Sequence, residues 1–287
     1  MLEDALKYPF RGDDSTERLV IGGALPFLGI AIYLVGLLLT LAFVGFFILP
    51  FSIVPQIFLW GYLVAVVGAL LAGQEEPPGF DDWKRLGIDG LKAILVSIGY
   101  SLPMILLVIV FVTFVAIADV SMGTGPTATT QFALQLVVFG VMALAVAYSL
   151  ALYYVLPAAI VNFVREDDLA AAFHLRTIKD IVLTSDYFVA WLLAAAVVLV
   201  GGIVAFPLYF VLVGFVLRFY TMVVAAYLVT RGTMDAAGWT APTGECAAEF
   251  LDTGGAESGN DAGGRGSEWD GLTPAVVPAE DRPDEQE

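Results

Sequence analysis

The sequence predicts an all-α polytopic membrane helical bundle, with six transmembrane helices, short cytoplasmic amphipathic helices and a disordered acidic C-terminal tail. Three observations carry that reading. No charged residue occurs between Arg18 and Glu75, far more chain than the ~20 apolar residues one membrane crossing needs. The 287 residues are 59% hydrophobic and 15% charged, whereas a soluble domain carries about a quarter charged residues. Basic residues cluster in alternate connections, as expected when one face is cytoplasmic.

The spans follow in order. Residues 2–10 read as a short amphipathic piece. The first apolar run is preceded by acids, is too long for a signal peptide and lacks an Ala-x-Ala site, so it reads as a retained helix. Pro50 and Pro55 divide the uncharged stretch into spans at about 20–48 and 54–72. A third span, 93–118, ends at Asp119. A fourth, 132–164, ends at Arg165-Glu166-Asp167-Asp168. The fifth and sixth share 187–230 and split near Gly201-Gly202 and Pro207, giving 187–206 and 208–230. Residues 1–231 thus form the membrane domain.

The remainder, 232–287, is rich in Gly, Ala, Pro, Glu and Asp. It holds thirteen acids against Arg265 and Arg282, much of the whole chain's net charge of −16. Such a segment cannot bury enough apolar surface to fold. It reads as a solubilising tail, with the apolar islands 247–251 and 269–277 as the alternative, a docking peptide.

Orientation follows from Lys and Arg. Lys7, Arg11 and Arg18 precede span 1. Lys84, Arg85 and Lys92 lie between spans 2 and 3, and Arg165, Arg176 and Lys179 between spans 4 and 5. Arg231, Arg265 and Arg282 follow span 6. Twelve of the thirteen basic residues fall on one face, and Arg218 is the exception. The expected placement is multi-pass in the cell membrane with both termini cytoplasmic.

Residues 73–92, GQEEPPGFDDWKRLGIDGLK, form the most polar internal stretch. Pro77-Pro78 stops span 2, and Asp81 and Asp82 suit a helix start. Phe80, Trp83, Gly87, Gly90, Leu91 and Ile94 recur at helical spacing. This predicts an amphipathic helix at headgroup depth, with Phe80 and Trp83 as interfacial anchors. Residues 169–182 are amphipathic in the same way. The recurring plan suggests an internal repeat, in which Gly61-Tyr62 of span 2 corresponds to Gly214-Phe215 of span 6. Gly61, Ala65, Gly68 and Ala72, and likewise Ala190, Ala194, Gly201 and Ala205, are small-residue stripes that suit close helix packing in lipid.

The chemistry-bearing inventory is short. One cysteine, Cys246, and one histidine, His174, supply neither a four-ligand zinc site nor a positioned triad. No P-loop is present. No catalytic residue, metal or cofactor is expected, and the protein reads as not an enzyme. Arg218 is the candidate intramembrane polar site. Thirteen residues before Arg231, it lies roughly 20 Å from that end, near mid-bilayer if span 6 starts by Pro207. A charge there costs at least about 2.5–3.5 kcal/mol. Tyr100, Tyr153, Tyr154, Gln56, Gln135 or an anion could compensate it, or the side chain could snorkel.

Lysine is scarce, four against nine arginines, and acids dominate the exposed parts, a composition that resembles proteins of salt-adapted (halophilic) archaea. The residues Asp4-Ala5-Leu6-Lys7-Tyr8-Pro9-Phe10, Gly61-Tyr62-Leu63-Val64 and the Phe80-Asp81-Asp82-Trp83 to Asp89-Gly90-Leu91-Lys92 block resemble the DUF4013 family, archaeal integral membrane proteins of unknown function. The resemblance covers about residues 1–231. It implies a multi-span membrane protein and supplies no substrate or catalytic group. Ala65 stands where the family pattern suggests a basic residue, and Arg218 takes the comparable place in span 6.

The leading expectation is a non-enzymatic membrane organiser or interaction partner. Its partners are the lipid bilayer and a membrane protein or second copy, with no nucleic acid. The alternative is a transporter or permease-like subunit using Arg218. A lipid-modifying enzyme using Asp81, Asp82 and Asp89 ranks third.

Overall fold

Within a bilayer every backbone N–H and C=O must find its partner inside the protein, so long uncharged runs fold as helices. The computed structural model describes residues 1–121 and 128–239. Residues 122–127 and the tail from 240 onwards, where most of the expected disorder falls, lie outside the described residues. Nine α-helices are described: α1 (Leu2–Lys7), α2 (Ser15–Leu39), α3 (Gly45–Ile48), α4 (Val54–Leu71), α5 (Trp83–Ser121), α6 (Ala128–Glu166), α7 (Leu175–Val182), α8 (Ser185–Leu208) and α9 (Val213–Ala237). There is no strand among the described residues. Six helical stretches are long and apolar enough to cross a membrane.

The three returning helices, α4, α6 and α9, contact one another and form the centre. The outgoing helices lie around them: α2 against α9 and α4, α5 against α4, and α8 along α9. Burial follows this arrangement. Tyr62, Val66 and Leu70 of α4 and Phe219, Val223 and Leu228 of α9 are almost fully buried. Helix α6 joins the centre through Ala158, Ala159, Val161 and Phe163, while residues 131–150 of α6 and 102–117 of α5 include no buried side chain. Such a surface belongs in lipid.

The N-terminal segment, the α4–α5 and α6–α8 connections and the end of α9 define one face, here called proximal. There, α1 packs on α9, the start of α5 packs on α4, and α7 packs on α6 and α9. Tyrosine hydroxyls from the spans pin these segments by their backbone carbonyls. Tyr220 donates to Leu6 O at 2.8 Å, Tyr100 to Ala172 O at 2.6 Å and Tyr154 to Val182 O at 2.6 Å. Short helices leave terminal carbonyls without internal partners, and each tyrosine supplies one.

The repeat is real at the distal turns, in a different register from the expected one. Hairpins α2–α3 and α8–α9 both turn through a short 3-10 segment and a left-handed residue, Phe43 (φ 58°) in one and Leu212 (φ 63°) in the other. A glycine follows two residues later in each. A Cβ on Gly45 would lie 2.1 Å from Gly36 O and 2.4 Å from Thr40 N; one on Gly214 would lie 2.6 Å from Ala205 O and 2.6 Å from Tyr209 N. The clashing partners sit at the same sequence offsets in both turns. Gly214 is therefore the counterpart of Gly45, not of Gly61.

Other boundaries also move. Pro207 lies inside α8, whose last turn tolerates it, and the true turn is 209–212. The first span runs Ser15–Ala42, short of the expected 48. The expected amphipathic helix runs on into span 3, because Trp83 opens the single 39-residue helix α5. Its first turns pack closely on α4. A Cβ on Gly61 would meet Leu86 O at 1.8 Å, and one on Gly90 would meet Ile57 O at 1.9 Å. Helix α9 continues past the expected limit at Arg231 to Ala237, with Gly232, Thr233 and Met234 buried. A Cβ on Gly232 would fall 2.1 Å from the Ala190 Cβ, so this end of α9 is held by α8.

Overpacking a well-packed site typically costs about 1–3 kcal/mol, and a backbone carbonyl cannot step aside. Gly61→Leu is expected to reach or exceed that range and abolish the monodisperse folded protein. Gly202→Leu, which meets nothing within 4 Å, is expected to keep the wild-type melting temperature. Size-exclusion profiles and thermal unfolding in detergent distinguish the two.

Candidate functional site

Helix α9 starts at Val213, so Arg218 lies five residues in, roughly 8 Å from the distal end of the helix. The expected mid-bilayer position assumed a start by Pro207, whereas the turn at 209–212 places the start of the last span at Val213. It lines a cavity of about 330 Å³. Helix α2 contributes Pro26 and Ile30, α4 contributes Gln56 and Leu59, the turn contributes Tyr209, and Phe215 and Met222 flank Arg218 on α9. The walls are mostly apolar and aromatic.

The Arg218 guanidinium has no hydrogen bond or ion pair among the described residues; only its backbone oxygen is engaged, accepting from the Thr221 hydroxyl at 2.8 Å. Of the five side chains expected to compensate it, Gln56 alone lines the cavity. Tyr100 and Tyr154 are committed to Ala172 O and Val182 O. Tyr153 and Gln135 lie on α6, which contributes nothing to the cavity wall. Below the cavity, Phe219 and Val223 are 1% exposed, so its proximal side is closed by packing. A second hollow of about 490 Å³ is lined by α8 alone, at Val198, Leu199, Gly202, Ile203 and Phe206, and holds no polar side chain.

The two expected anchors keep their rings 5.7 Å apart but differ in burial. Trp83 stands at the rim, 42% exposed, edge-on to Phe58 at 5.4 Å. Phe80 is a core residue, 7% exposed and stacked on Tyr62 at 4.3 Å. Its place is fixed by Pro77-Pro78, which turn the chain back into the bundle.

The proximal-face carboxylates Asp82 and Asp89 are engaged structurally. Asp82 caps α5 by accepting from Arg85 N at 2.9 Å. Asp89 lies 3.6 Å from Arg85 and 3.9 Å from Lys92, which also reaches Asp167 at 3.5 Å. No three His, Cys, Asp or Glu side chains converge as metal ligands among the described residues. His174 pairs with Glu166 at 3.7 Å on the surface.

Sequence reasoning missed Arg18. It reads there as a basic residue ahead of span 1, yet it is 7% exposed. Its Nη1 donates to Pro77 O at 2.7 Å and its Nη2 to Arg11 O. Arg11 Nη1 donates to Glu75 O at 3.3 Å, and the Tyr8 hydroxyl to Glu76 O at 3.4 Å. Three consecutive carbonyls of the proline-broken stretch are thus held by the N-terminal segment. A signal existed: a stretch that stops a helix at the membrane edge leaves carbonyls needing donors, and few donors lie close to a span.

The protein-family comparison matches residues 43–210 to a model described as a protein of unknown function, DUF4013. The chain belongs to the DUF4013 family. The matched stretch takes in spans 2 to 5 and the 73–92 block, and is narrower than the resemblance read from sequence. Arg18 and Arg218 lie outside it. Neither the curated proteins nor the solved structures contain a match to the chain.

A lysine cannot make the two-pronged contact of a guanidinium. Arg18→Lys is expected to leave a buried carbonyl unpaired, at a cost of about 1–3 kcal/mol. Lys84→Ala, on the exposed face of α5, is expected to stay within about 0.5 kcal/mol of wild type. Thermal unfolding followed by tryptophan fluorescence checks both.

Proposed function

We propose that this DUF4013 protein is a non-enzymatic membrane organiser that holds an anionic amphiphile, an anionic lipid, in the distal cavity with Arg218 as counter-charge. The observation that carries this reading is the cavity of about 330 Å³ in which Arg218 has no protein partner among the described residues. A charge within a span is unfavourable, and an anion in the cavity offsets that. Gln56 and Tyr209 offer polar groups beside it, and Pro26, Ile30, Leu59 and Met222 offer apolar walls for an acyl chain.

In this proposal both termini lie in the cytoplasm of a cell-membrane protein, so the cavity faces the outer leaflet. The bias of Lys and Arg towards the proximal face supports that orientation. The closed packing at Phe219 and Val223 favours holding a ligand over passing one through. The structural engagement of Asp82 and Asp89 favours a non-catalytic role.

The test compares lipids copurified with wild type and with Arg218→Gln by mass spectrometry. Loss of a charge-assisted contact worth about 1.5–3 kcal/mol corresponds to a tenfold or larger fall in anionic-lipid occupancy. Equal occupancy in both proteins would reject the reading. Uptake of a solute into proteoliposomes that depends on Arg218 would replace it with the permease alternative.

A further inference from the structure

Only three buried side-chain atoms lack a hydrogen-bond partner among the described residues: Arg18 Nε, Arg231 Nε and Asn162 Oδ1. Two of the three belong to arginines that converge on one place at the proximal face, around the fully buried Tyr8. The Tyr8 ring lies 4.9 Å from the Tyr227 ring, and the Arg231 guanidinium sits 5.6 Å from the Tyr227 centroid. From the other side, Arg18 grips Pro77 O, next to the Glu76 carbonyl that receives the Tyr8 hydroxyl. Tyr62, 1% exposed, completes the group. The hydroxyls of Tyr62 and Tyr227, and the whole Arg231 guanidinium, make no hydrogen bond to a described residue.

The charge is as unbalanced as the hydrogen bonding. No described carboxylate forms an ion pair with Arg18 or Arg231. Asp235, one turn beyond Arg231, does not reach it, and the exposed Glu76 makes no ion pair. Burial, with Tyr62 and Tyr227 alongside, raises the Tyr8 phenol well above its ordinary range, while Arg18 and Arg231 act on it in the opposite sense. The phenol therefore stays protonated within reach of both guanidiniums. Two partly desolvated cations and a set of neutral hydroxyl donors, with no described carboxylate ion-paired to either cation, match the donor pattern that recognises phosphate oxygens.

We propose that Arg18, Arg231, Tyr62 and Tyr227 form a second anion site, at the proximal face, that takes a phosphate-type oxyanion. It is separate from the Arg218 cavity and does not depend on the reading given to that cavity. Its residues come from α2, α4 and α9, so a bound oxyanion ties the first, second and last spans together. The phosphate group can belong to a lipid headgroup or be free in solution.

The test uses the full chain in phosphatidylcholine nanodiscs at constant ionic strength, titrated with inorganic phosphate, with Tm as the readout. A ligand that binds only the folded state raises Tm saturably. The expected result is a saturable rise in wild type that is lost in Arg231→Gln. The rise is retained in Arg165→Gln, whose guanidinium instead covers the Trp239 ring at 4.0 Å. Tyr227→Phe keeps the ring packing and removes only the hydroxyl, and is expected to weaken phosphate binding severalfold. A second arm replaces phosphatidylcholine with phosphatidic acid. A rise confined to that arm, and lost in Arg231→Gln, assigns the phosphate to a lipid headgroup. No rise in either arm, or the same rise in Arg231→Gln as in wild type, overturns the proposal.

Discussion

Backbone carbonyls released by Pro77-Pro78 at the membrane edge need donors, and the N-terminal segment provides them. Tyr8, Arg11 and Arg18 take the carbonyls of Glu76, Glu75 and Pro77. This clamp decides where the chain re-enters the bundle. It sets Phe80 on Tyr62 and Trp83 beside Phe58, and so starts α5 where Gly61 and Gly90 allow the closest backbone approach between α4 and α5. The most polar internal stretch of the chain is a re-entry point held by Tyr8, Arg11 and Arg18 from the N-terminal segment.

The other proximal connections use the same physics with different donors. Tyr100 and Tyr154 pin the segment between α6 and α8, and Tyr220 pins α1 to α9. Helix association in lipid gains little from hydrophobic burial and depends on close packing and interhelical hydrogen bonds. The proximal face collects the hydrogen bonds, and the α4–α6–α9 centre collects the packing. Among the described residues the distal face has fewer of both, and the cavity at Arg218 lies there.

The six spans and their order were legible because charge-free length and the Lys/Arg pattern are direct consequences of bilayer thickness and membrane insertion. Arg218 was legible as an isolated cation, and its cavity neighbour Gln56 was among the expected partners. The turn between the last two spans was not, because Pro207 looks like a breaker but is tolerated in the final turn of α8; the left-handed Leu212, paired with Gly214, marks the real turn. Phe80 looked interfacial because helical spacing says which residues share a face and not what that face meets. Arg18 and Arg231 looked like ordinary flanking charges. The burial of Arg18 and of the Arg231 Nε depends on residues 75–77 and on Tyr8 and Tyr227, which are far apart in sequence, and no periodicity within a span encodes it.

The central claim is that the N-terminal segment holds residues 75–77 in place, and limited proteolysis tests it most directly. Glutamyl endopeptidase cleaves after Glu75 only when that stretch opens, and in the regime of fast reclosing the rate follows the open population. The measurement compares the full chain with a form lacking residues 1–12, which removes Tyr8 and Arg11 and leaves Arg18. The account predicts much faster cleavage after Glu75 in the shortened form, with cleavage after Glu166 unchanged. Equal rates after Glu75 in both forms would contradict it.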